Sequence, residues 1–301
     1  MASVSRRSQT TTTTTTATTS APVMPERDTR AFARAVRAHA LCMVHAVNAS
    51  HIGSSLSMTD LLAVLYGGGV LRVRPAEPDW PQRDRFILSK GHAAAAAYAT
   101  LAEAGFFPRE WLATYCQDGS RLAGHLTHGV PGVEFSTGSL GHGLPVGAGM
   151  ALAAKRDGSP ARVFVMLSDG ELDEGSNWEA ILFAAHHGLD NLVAIVDYNK
   201  IQSFGTVAEV MRLDPLAEKW RAFGWACREI DGHDHDAIAA ALRGVPAEAG
   251  KPTAIVAHTI KGKGVSFMEN QLAWHYKSPN AEQLAQALAE VGAEVEREQP
   301  K

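Results

Sequence analysis

Polar residues that could bind a metal follow two apolar segments of the chain. The tripeptide Ser168-Asp169-Gly170 comes directly after residues 162–167 (RVFVML), and Asn199 follows residues 191–197 (NLVAIVD). Asp169 and Asn199 are thirty positions apart, the length of one strand–helix–strand unit, whose right-handed crossover brings both strand ends to one edge of a sheet. Carboxylate, amide and carbonyl oxygens suit Mg²⁺ or Ca²⁺, with phosphate oxygens completing the shell, although both side chains could equally well cap loops.

A glycine-rich turn at residues 138–143 (GSLGHG) precedes an apolar, helix-forming segment. Glycines allow the backbone to approach a ligand closely, and a helix N-terminus favours anions. The turn is not GxGxxG after a strand, and the chain has no Walker sequence, so neither a dinucleotide nor a P-loop nucleotide is indicated.

The elements that must position these residues alternate between strand and helix in the second half of the chain. The apolar strand segments do not alternate between polar and apolar residues, which predicts a parallel sheet covered on both faces. We therefore expect an α/β fold with an open, mostly parallel sheet and helices on both faces, binding ligands at the carboxyl ends of its strands. The predicted strands are residues 85–89, 162–167, 191–197, 225–230 and 253–258, and the predicted helices are 31–49, 60–66, 93–104, 108–115, 178–187, 215–223, 235–243 and 281–291.

Composition excludes several classes of protein. The 301 residues carry 28 Lys and Arg against 32 Asp and Glu, a net charge of −4 that does not favour nucleic-acid binding. No apolar run is long enough to span a bilayer, and the three cysteines form no metal or disulfide pattern, so we expect a cytoplasmic protein with no membrane partner. Residues 1–27 are rich in Thr and are predicted to be a disordered tail, with one α/β domain over residues 28–301.

Taken together, the motifs resemble those of the N-terminal, diphosphate-binding part of transketolases. Seven matching stretches occur in order along the chain: residues 50–53 (SHIG), 83–92 (RDRFILSKGH), 121–125 (RLAGH), 131–141 (PGVEFSTGSLG), 168–175 (SDGELDEG), 197–201 (DYNKI) and 274–275 (WH). The order makes the resemblance far more specific than any single stretch.

The resemblance implies thiamine diphosphate and a divalent metal, Mg²⁺ or Ca²⁺, as cofactors. The metal ligands would be the Asp169 carboxylate, the Asn199 amide oxygen and the Ile201 carbonyl. The other implied cofactor contacts are Gly138 and Leu140 at the aminopyrimidine, Gly170, and Glu174, which would also lie at a domain interface and help to couple active sites. The implied catalytic residues are His51, His92, His125 and His275, which would hydrogen-bond sugar hydroxyls and move protons, with His92 and His275 also contacting the diphosphate.

The resemblance also implies a partner, because a complete transketolase has about twice this many residues. We expect the N-terminal subunit of a split transketolase, which works with a C-terminal subunit carrying the pyrimidine-binding domain, acts on sugar phosphates and assembles as a dimer of heterodimers. Leu126 and Tyr276 stand where Pro and Gly are common and are expected on the substrate side, while Ser168 replaces the usual Gly before the metal-binding Asp. The alternatives are a component of another thiamine diphosphate enzyme and a cofactor-binding subunit that is non-catalytic or regulatory.

Some chemically suggestive residues receive no functional role from the sequence. His233 and His235 are expected to be structural or surface residues in a loop. Lys261 and Lys263, in the sequence KGKG, could face an anion, but a solvated loop is an equally good interpretation.

Overall fold

A computed structural model describes residues 23–292 of the chain. Most of the predicted tail, residues 1–22, lies outside the described residues. Its last residues are packed against the domain: Met24 is buried and its N–H donates to the Val73 carbonyl, while the Arg27 N–H donates to the Gly67 carbonyl. These contacts join Met24 and Arg27, which the sequence assigned to the tail, to the segment at residues 67–73.

Five parallel strands form a single open sheet in the order β1-β2-β3-β5-β4. All five predicted strands are present, each within one residue of its predicted bounds. They are β1 (Arg85–Leu88), β2 (Val163–Ser168), β3 (Leu192–Tyr198), β4 (Ala226–Asp231) and β5 (Thr253–His258).

Ten α-helices connect these strands or flank them within the described residues. They are α1 (Thr29–Ala46), α2 (Ile52–Ser57), α3 (Thr59–Gly67), α4 (Ala94–Ala104), α5 (Gly143–Arg156), α6 (Gly175–His186), α7 (Val207–Val210), α8 (Leu216–Ala222), α9 (His235–Arg243) and α10 (Ala281–Glu290). Asp28 caps α1 by accepting from the N–H groups of Arg30 and Ala31. The predicted helix at 108–115 is instead a 3-10 helix, Arg109–Thr114, with Pro108 as its N-cap. Helix α2 was not predicted.

The sheet separates two hydrophobic cores. Along β2, Phe164 and Met166 pack into the core formed with α1, α3 and α4, while Val163, Val165 and Leu167 pack into the core formed with α5, α6 and α8. Successive side chains of a strand point to opposite faces, so a strand buried on both faces is apolar throughout. The two cores therefore confirm the predicted layer of helices on each face of the sheet.

The polar strand ends meet at one edge of this sheet. β2 and β3 are direct neighbours, with Ser168 paired to Asp197, so that Asp169 and Asn199 follow at adjacent strand ends. β5 pairs with the other side of β3 and is followed by Thr259 at the same edge. Among residues 23–292, none of the helices combines the length and the apolar character needed to cross a bilayer.

Candidate active site

Asp169 lies at the carboxyl end of β2 with few partners. Its carboxylate accepts from the N–H groups of Gly170 at 2.7 Å and Lys200 at 2.6 Å, and no ion pair joins it to a cation among the described residues. Burial raises the pKa of Asp169 to about 7, and the negative charge of Asp197 adds to the shift. A carboxylate in this position is stabilised by any cation that enters the site.

Asn199 and Ile201 present further oxygens beside Asp169. The Asn199 Nδ2 lies 3.4 Å from Asp197 Oδ2, an orientation that turns Oδ1 away from Asp197, and Oδ1 accepts from the Ile201 N–H at 3.2 Å. The Ile201 carbonyl accepts from Lys261 Nζ at 2.9 Å and keeps a second lone pair. Within residues 23–292 no group of three or more His, Cys, Asp or Glu residues could hold a metal. The predicted donor set contains only one such side chain, so its remaining ligands would be amide, carbonyl and phosphate oxygens.

Asp197, near the end of β3, connects several of the elements that form the site. It is fully buried and forms an ion pair with Lys90, and it accepts hydrogen bonds from Ser57 Oγ at 2.6 Å and from Thr259 Oγ1. Burial pushes the pKa of Asp197 upward, but the Lys90 ammonium and these hydrogen bonds outweigh it and hold the pKa below its usual range. The arrangement ties β3 to the ends of β1 and β5 and to α2.

The four predicted histidines lie together although they come from four separate segments. The ring centre of His51 is 5.0 Å from that of His92 and 5.2 Å from that of His275. The His125 ring centre is 6.3 Å from that of His51. His51 precedes α2 in a left-handed conformation (φ 71°), and its N–H donates to the His275 carbonyl at 2.8 Å. This contact joins α2 to the 3-10 helix Leu272–His275.

The imidazoles of His51, His92 and His275 are uncharged at neutral pH. Burial lowers the pKa of His51 to about 4 and that of His275 to about 3, and the nearby positive charge of Lys261 adds to both shifts. Burial also lowers the pKa of His92, with Lys90 as the next cause. Uncharged imidazoles can both donate and accept hydrogen bonds, as contacts with sugar hydroxyls require.

Lys261 is the main residue of the site to which the sequence reasoning assigned no role. Its side chain is buried at the cavity, with Nζ 2.7 Å from His275 Nδ1 and 2.9 Å from the Ile201 carbonyl. Burial lowers its pKa to about 8, against the opposing influence of the Asp169 charge. The alternative of a solvated loop is wrong for Lys261. The sequence KGKG was the available signal, but it did not distinguish this lysine from the partly exposed Lys263.

A single cavity of about 450 Å³ contains every residue predicted for the site. It is lined by His51, Ser54, His92, His125, Gly138, Leu140, Ser168, Asp169, Gly170, Asp173, Glu174, Asn199, Ile201, Gln202, Ser203, Phe204, Val210, Lys261, His275 and Tyr276. Tyr276 stands at this cavity as expected, and its hydroxyl donates to Ser203 Oγ at 3.0 Å. Leu126, expected on the substrate side, is instead buried in the core beside α4.

The glycine-rich turn reaches the cavity through close contacts that only glycine permits. Gly141 has φ +84°, and a Cβ there would lie 2.5 Å from Ser176 Oγ and 2.7 Å from Glu174 Cβ. Its N–H donates to the fully buried Glu171 carboxylate at 2.9 Å, and Glu171 also accepts from Ser89. The turn is therefore held against the segment that follows β2, and Gly138 and Leu140 line the same cavity as Asp169 and Gly170.

The residues of the cavity fit a metal-bound diphosphate. Gln202 is 8% exposed, and its Nε2 has no acceptor in hydrogen-bond geometry among the described residues. Burial raises the pKa of Asp173, and the nearby Gln202 side chain only partly opposes that rise. Buried donors of this kind are satisfied in nearly all proteins, so the position calls for a ligand acceptor. The sparsely partnered Asp169 calls for a cation, and the ammonium of Lys261 complements an anion.

Comparisons with known proteins identify the family and the fold. The family model described as "Transketolase, thiamine diphosphate binding domain" matches residues 28–299. The chain is 44% identical over 255 residues to one subunit of the apulose-4-phosphate transketolase of Phocaeicola vulgatus, covering 85% of this chain and 90% of the relative. It is 43% identical over 263 residues to a 6-deoxy-6-sulfo-D-fructose transketolase subunit from a Clostridium species, covering 87% of this chain and 95% of the relative.

Solved structures show the same fold. The transketolase from Leishmania mexicana superposes with a TM-score of 0.83 at 32% identity, covering 89% of this chain and 42% of that one. The transketolase from Campylobacter jejuni superposes with a TM-score of 0.83 at 31% identity, covering 88% and 43%. The chain thus spans about two fifths of the length of these transketolases.

Proposed function

The chain belongs to the transketolase family as a thiamine diphosphate binding domain, and we propose that it is the N-terminal subunit of a transketolase assembled from two different chains. The observation that carries the proposal is one cavity lined by four imidazoles and by a buried carboxylate at the carboxyl edge of the sheet. The enzyme would move a two-carbon ketol unit from a ketose phosphate to an aldose phosphate.

The polar end of the cavity would hold the diphosphate through a divalent metal. Asp169, Asn199 and Ile201 offer a carboxylate, an amide and a carbonyl oxygen, the donor types that Mg²⁺ and Ca²⁺ prefer. We propose Mg²⁺, because it commonly pairs one or two carboxylates with phosphate oxygens. Lys261 adds a positive charge on the same side. Gly138, Leu140 and Gly170 would lie against the cofactor, since they line the cavity beside these groups.

The histidines would transfer protons to and from the oxygen atoms of the sugar. Thiamine diphosphate, when bound, supplies the carbon nucleophile for cleavage of the C2–C3 bond of the ketose. That cleavage requires the proton of the C3 hydroxyl to leave, and an uncharged imidazole can accept it. When the two-carbon unit is joined to the aldose, the protonated imidazole returns a proton to the carbonyl oxygen of that aldose. His51, His92, His125 and His275 are the groups positioned for these transfers.

The lowered pKa values of His51, His92 and His275 support this role for those three rings. An imidazole that is uncharged before reaction is ready to take a proton, and its neighbours remain free to donate hydrogen bonds to other hydroxyls. Lys261 Nζ donates to His275 Nδ1, so the ring hydrogen of His275 lies on Nε2, where it donates to Ser203 Oγ at 3.2 Å. His275 is thereby held in one tautomer.

A second chain would complete the site. Phe204 lines the cavity and is 86% exposed, and Met211 nearby in the chain is 56% exposed, so apolar surface is available next to the cavity. The relatives in Phocaeicola vulgatus and Actinobacillus succinogenes are each named as one subunit of their transketolases. We propose that a C-terminal subunit with the pyrimidine-binding domain covers this surface, that Glu174 lies at that interface, and that the assembly is a dimer of heterodimers in the cytoplasm.

The direct test is a ketol-transfer assay with thiamine diphosphate and Mg²⁺. Xylulose 5-phosphate and ribose 5-phosphate serve as a first donor and acceptor, and apulose 4-phosphate serves as a second donor because a relative is named for it. We expect activity only when this chain is mixed with its C-terminal subunit, and none when Asp169→Ala replaces the wild type.

Two outcomes would contradict the proposal. Activity of this chain alone would show that no partner is needed. Tight thiamine diphosphate binding by the mixture with no turnover of any ketose would favour the alternative, a cofactor-binding subunit without catalysis.

A further inference from the structure

A buried carboxylate away from the cavity holds the turn that carries Lys261. Asp60 lies in α3 with its side chain 7% exposed. It accepts two hydrogen bonds from the Arg37 guanidinium, at 3.0 and 2.6 Å, and one each from His233 Nδ1 at 2.7 Å and His235 Nε2 at 3.1 Å. Burial pushes the pKa of Asp60 upward, but these partners outweigh it and hold the pKa well below its usual range.

His233 connects Asp60 to the backbone of the turn at residues 260–263. The Ile260 N–H donates to His233 Nε2 at 2.9 Å. Since Nε2 accepts this bond, the ring hydrogen lies on Nδ1 and is donated to Asp60. The carboxylate therefore sets both the orientation of the ring and the nitrogen that faces Ile260.

Arg37 contacts the other end of the same turn. Its Nε donates to the Lys263 carbonyl at 3.2 Å while its terminal nitrogens bind Asp60. Asp60, His233 and Arg37, which we call the Asp60 clamp, thus bind the first N–H and the last carbonyl of the turn. His235 binds Asp60 and Thr29 Oγ1, and no hydrogen bond from it to residues 260–263 is present in the described structure.

The position of this turn decides where the ammonium of Lys261 lies. Lys261 Nζ is placed 2.7 Å from His275 Nδ1 and 2.9 Å from the Ile201 carbonyl, distances at which a small displacement loses both hydrogen bonds. The Gly262 N–H donates to the Gly53 carbonyl at 3.0 Å, so the middle of the turn is held separately from its ends.

We propose that His233 and Arg37, held by Asp60, are positioning residues that fix Lys261 in the cavity. Neither residue lines the cavity, so each acts through the backbone at residues 260–263. The atom of His233 that fixes the turn is Nε2, which accepts from the Ile260 N–H. Asp60 accepts the hydrogen on Nδ1, so Nε2 carries no hydrogen and points toward Ile260. His235 shares the carboxylate but not this role.

Three substitutions distinguish loss of the contact with residues 260–263 from a general weakening of the hydrogen bonds around Asp60. His233→Gln places an acceptor near the position of Nε2 and gives up the bond to Asp60, whereas His233→Asn keeps a donor near Nδ1 and cannot reach Ile260. His235→Asn gives up one Asp60 hydrogen bond without touching the turn and is the matched control. Should His233→Asn not fold, Arg37→Lys serves in its place, since it keeps a cation beside Asp60 and loses the bond to Lys263.

The readout is the rate at which cyanate carbamylates Lys261 in the full chain, measured by peptide mass spectrometry. The exposed Lys155 and Lys251 in the same sample serve as internal references for the cyanate concentration. We expect His233→Asn to raise the rate at Lys261 about five- to tenfold, as loss of one buried hydrogen bond implies. His233→Gln and His235→Asn should stay within about twofold of the wild type.

An unchanged rate in His233→Asn would overturn the proposal, and so would an equal rise in all three variants, because any loss at Asp60 would then suffice. A second measurement rests on the proposed function: the Kd of thiamine diphosphate with Mg²⁺ in the two-chain enzyme should weaken in His233→Asn and be restored in His233→Gln. Changed carbamylation with unchanged cofactor affinity would leave the clamp intact and count against the role of Lys261 at the diphosphate.

Discussion

Asp169 and Asp197 lie at the ends of neighbouring strands, yet their surroundings are opposite. Asp197 is fully buried and receives an ammonium and two hydroxyl hydrogen bonds, which hold its pKa low. Asp169 is 2% exposed but receives only two backbone N–H groups, and its pKa rises to about 7. A carboxylate with a full set of partners stabilises the fold, whereas one left short of partners is prepared for a ligand.

The largest effect should come from removing the cation beside Asp197. Lys90→Met leaves a fully buried carboxylate without its ion pair, and breaking such a pair costs about 3–5 kcal/mol of the free energy of unfolding. Urea denaturation monitored by circular dichroism measures this loss. The double variant Lys90→Met with Asp197→Asn should recover part of it, because no charge remains unpaired. Equal stability of the wild type and the single variant would remove the distinction between the two carboxylates.

At Asp169 the corresponding substitution should change binding and not stability. Asp169→Asn removes a charge that the fold does not compensate, so the free energy of unfolding without metal should be unchanged or higher. Affinity for thiamine diphosphate in the presence of Mg²⁺, measured by calorimetry on the two-chain enzyme, should fall about a hundredfold or more. Asp173→Asn, at the same cavity, is the control and should bind more nearly like the wild type. A destabilised Asp169→Asn variant that still bound the cofactor would reverse the interpretation of both sites.

The buried histidines of the cavity should make the free energy of unfolding depend on pH. Burial lowers the pKa of His51 from 6.5 to about 4, so between these values the unfolded chain binds more protons than the folded one. Stability must then rise with pH across this window and be lost as pH falls from about 6.5 towards about 4. His51→Gln should flatten the dependence of the free energy of unfolding on pH in this window, with little change above pH 7. An identical pH profile would show that His51 is not shielded as the structure indicates.

The smallest effect is expected where Asp197 loses one neutral partner. Ser57→Ala removes a hydroxyl hydrogen bond but leaves Lys90 and Thr259, so the cost should be about 1 kcal/mol of the free energy of unfolding. Chemical denaturation measures it beside Lys90→Met. Cofactor affinity should not change, since Ser57 does not line the cavity. If Ser57→Ala lowered the free energy of unfolding as much as Lys90→Met does, Lys90 and Thr259 would not be sufficient to stabilise the Asp197 carboxylate.

Much of the fold followed from local patterns in the sequence. The five strands were predicted because fully apolar runs such as residues 162–167 permit few other roles in an α/β chain. Helix α2 was missed because it is short and polar, and it is stabilised by burial among α1, α4 and the site and not by its own periodicity. The segment after Pro108 was misassigned because propensity alone does not separate a 3-10 helix from an α-helix.

The site was predicted unevenly for a related reason. The residues that follow strands or belong to family motifs were identified, and all of them line one cavity. Their catalytic and ligand roles remain predictions. Gln202 was missed, and Lys261 was left open between an anion site and a solvated loop. Leu126 was assigned to the substrate side although it is buried in the core, because flanking residues do not reveal which way a loop side chain points.

The sequence by itself determined the parallel α/β architecture, the two polar strand ends and the family, because these depend on residues close together in the chain and on motifs in a set order. Only the tertiary structure decided which charges are paired. Lys90 reaches Asp197 across 107 positions and His233 reaches Asp60 across 173. No local pattern encodes such pairs, since they form only when separate elements pack and water is excluded, and that packing leaves Asp169 as the carboxylate with room for a ligand.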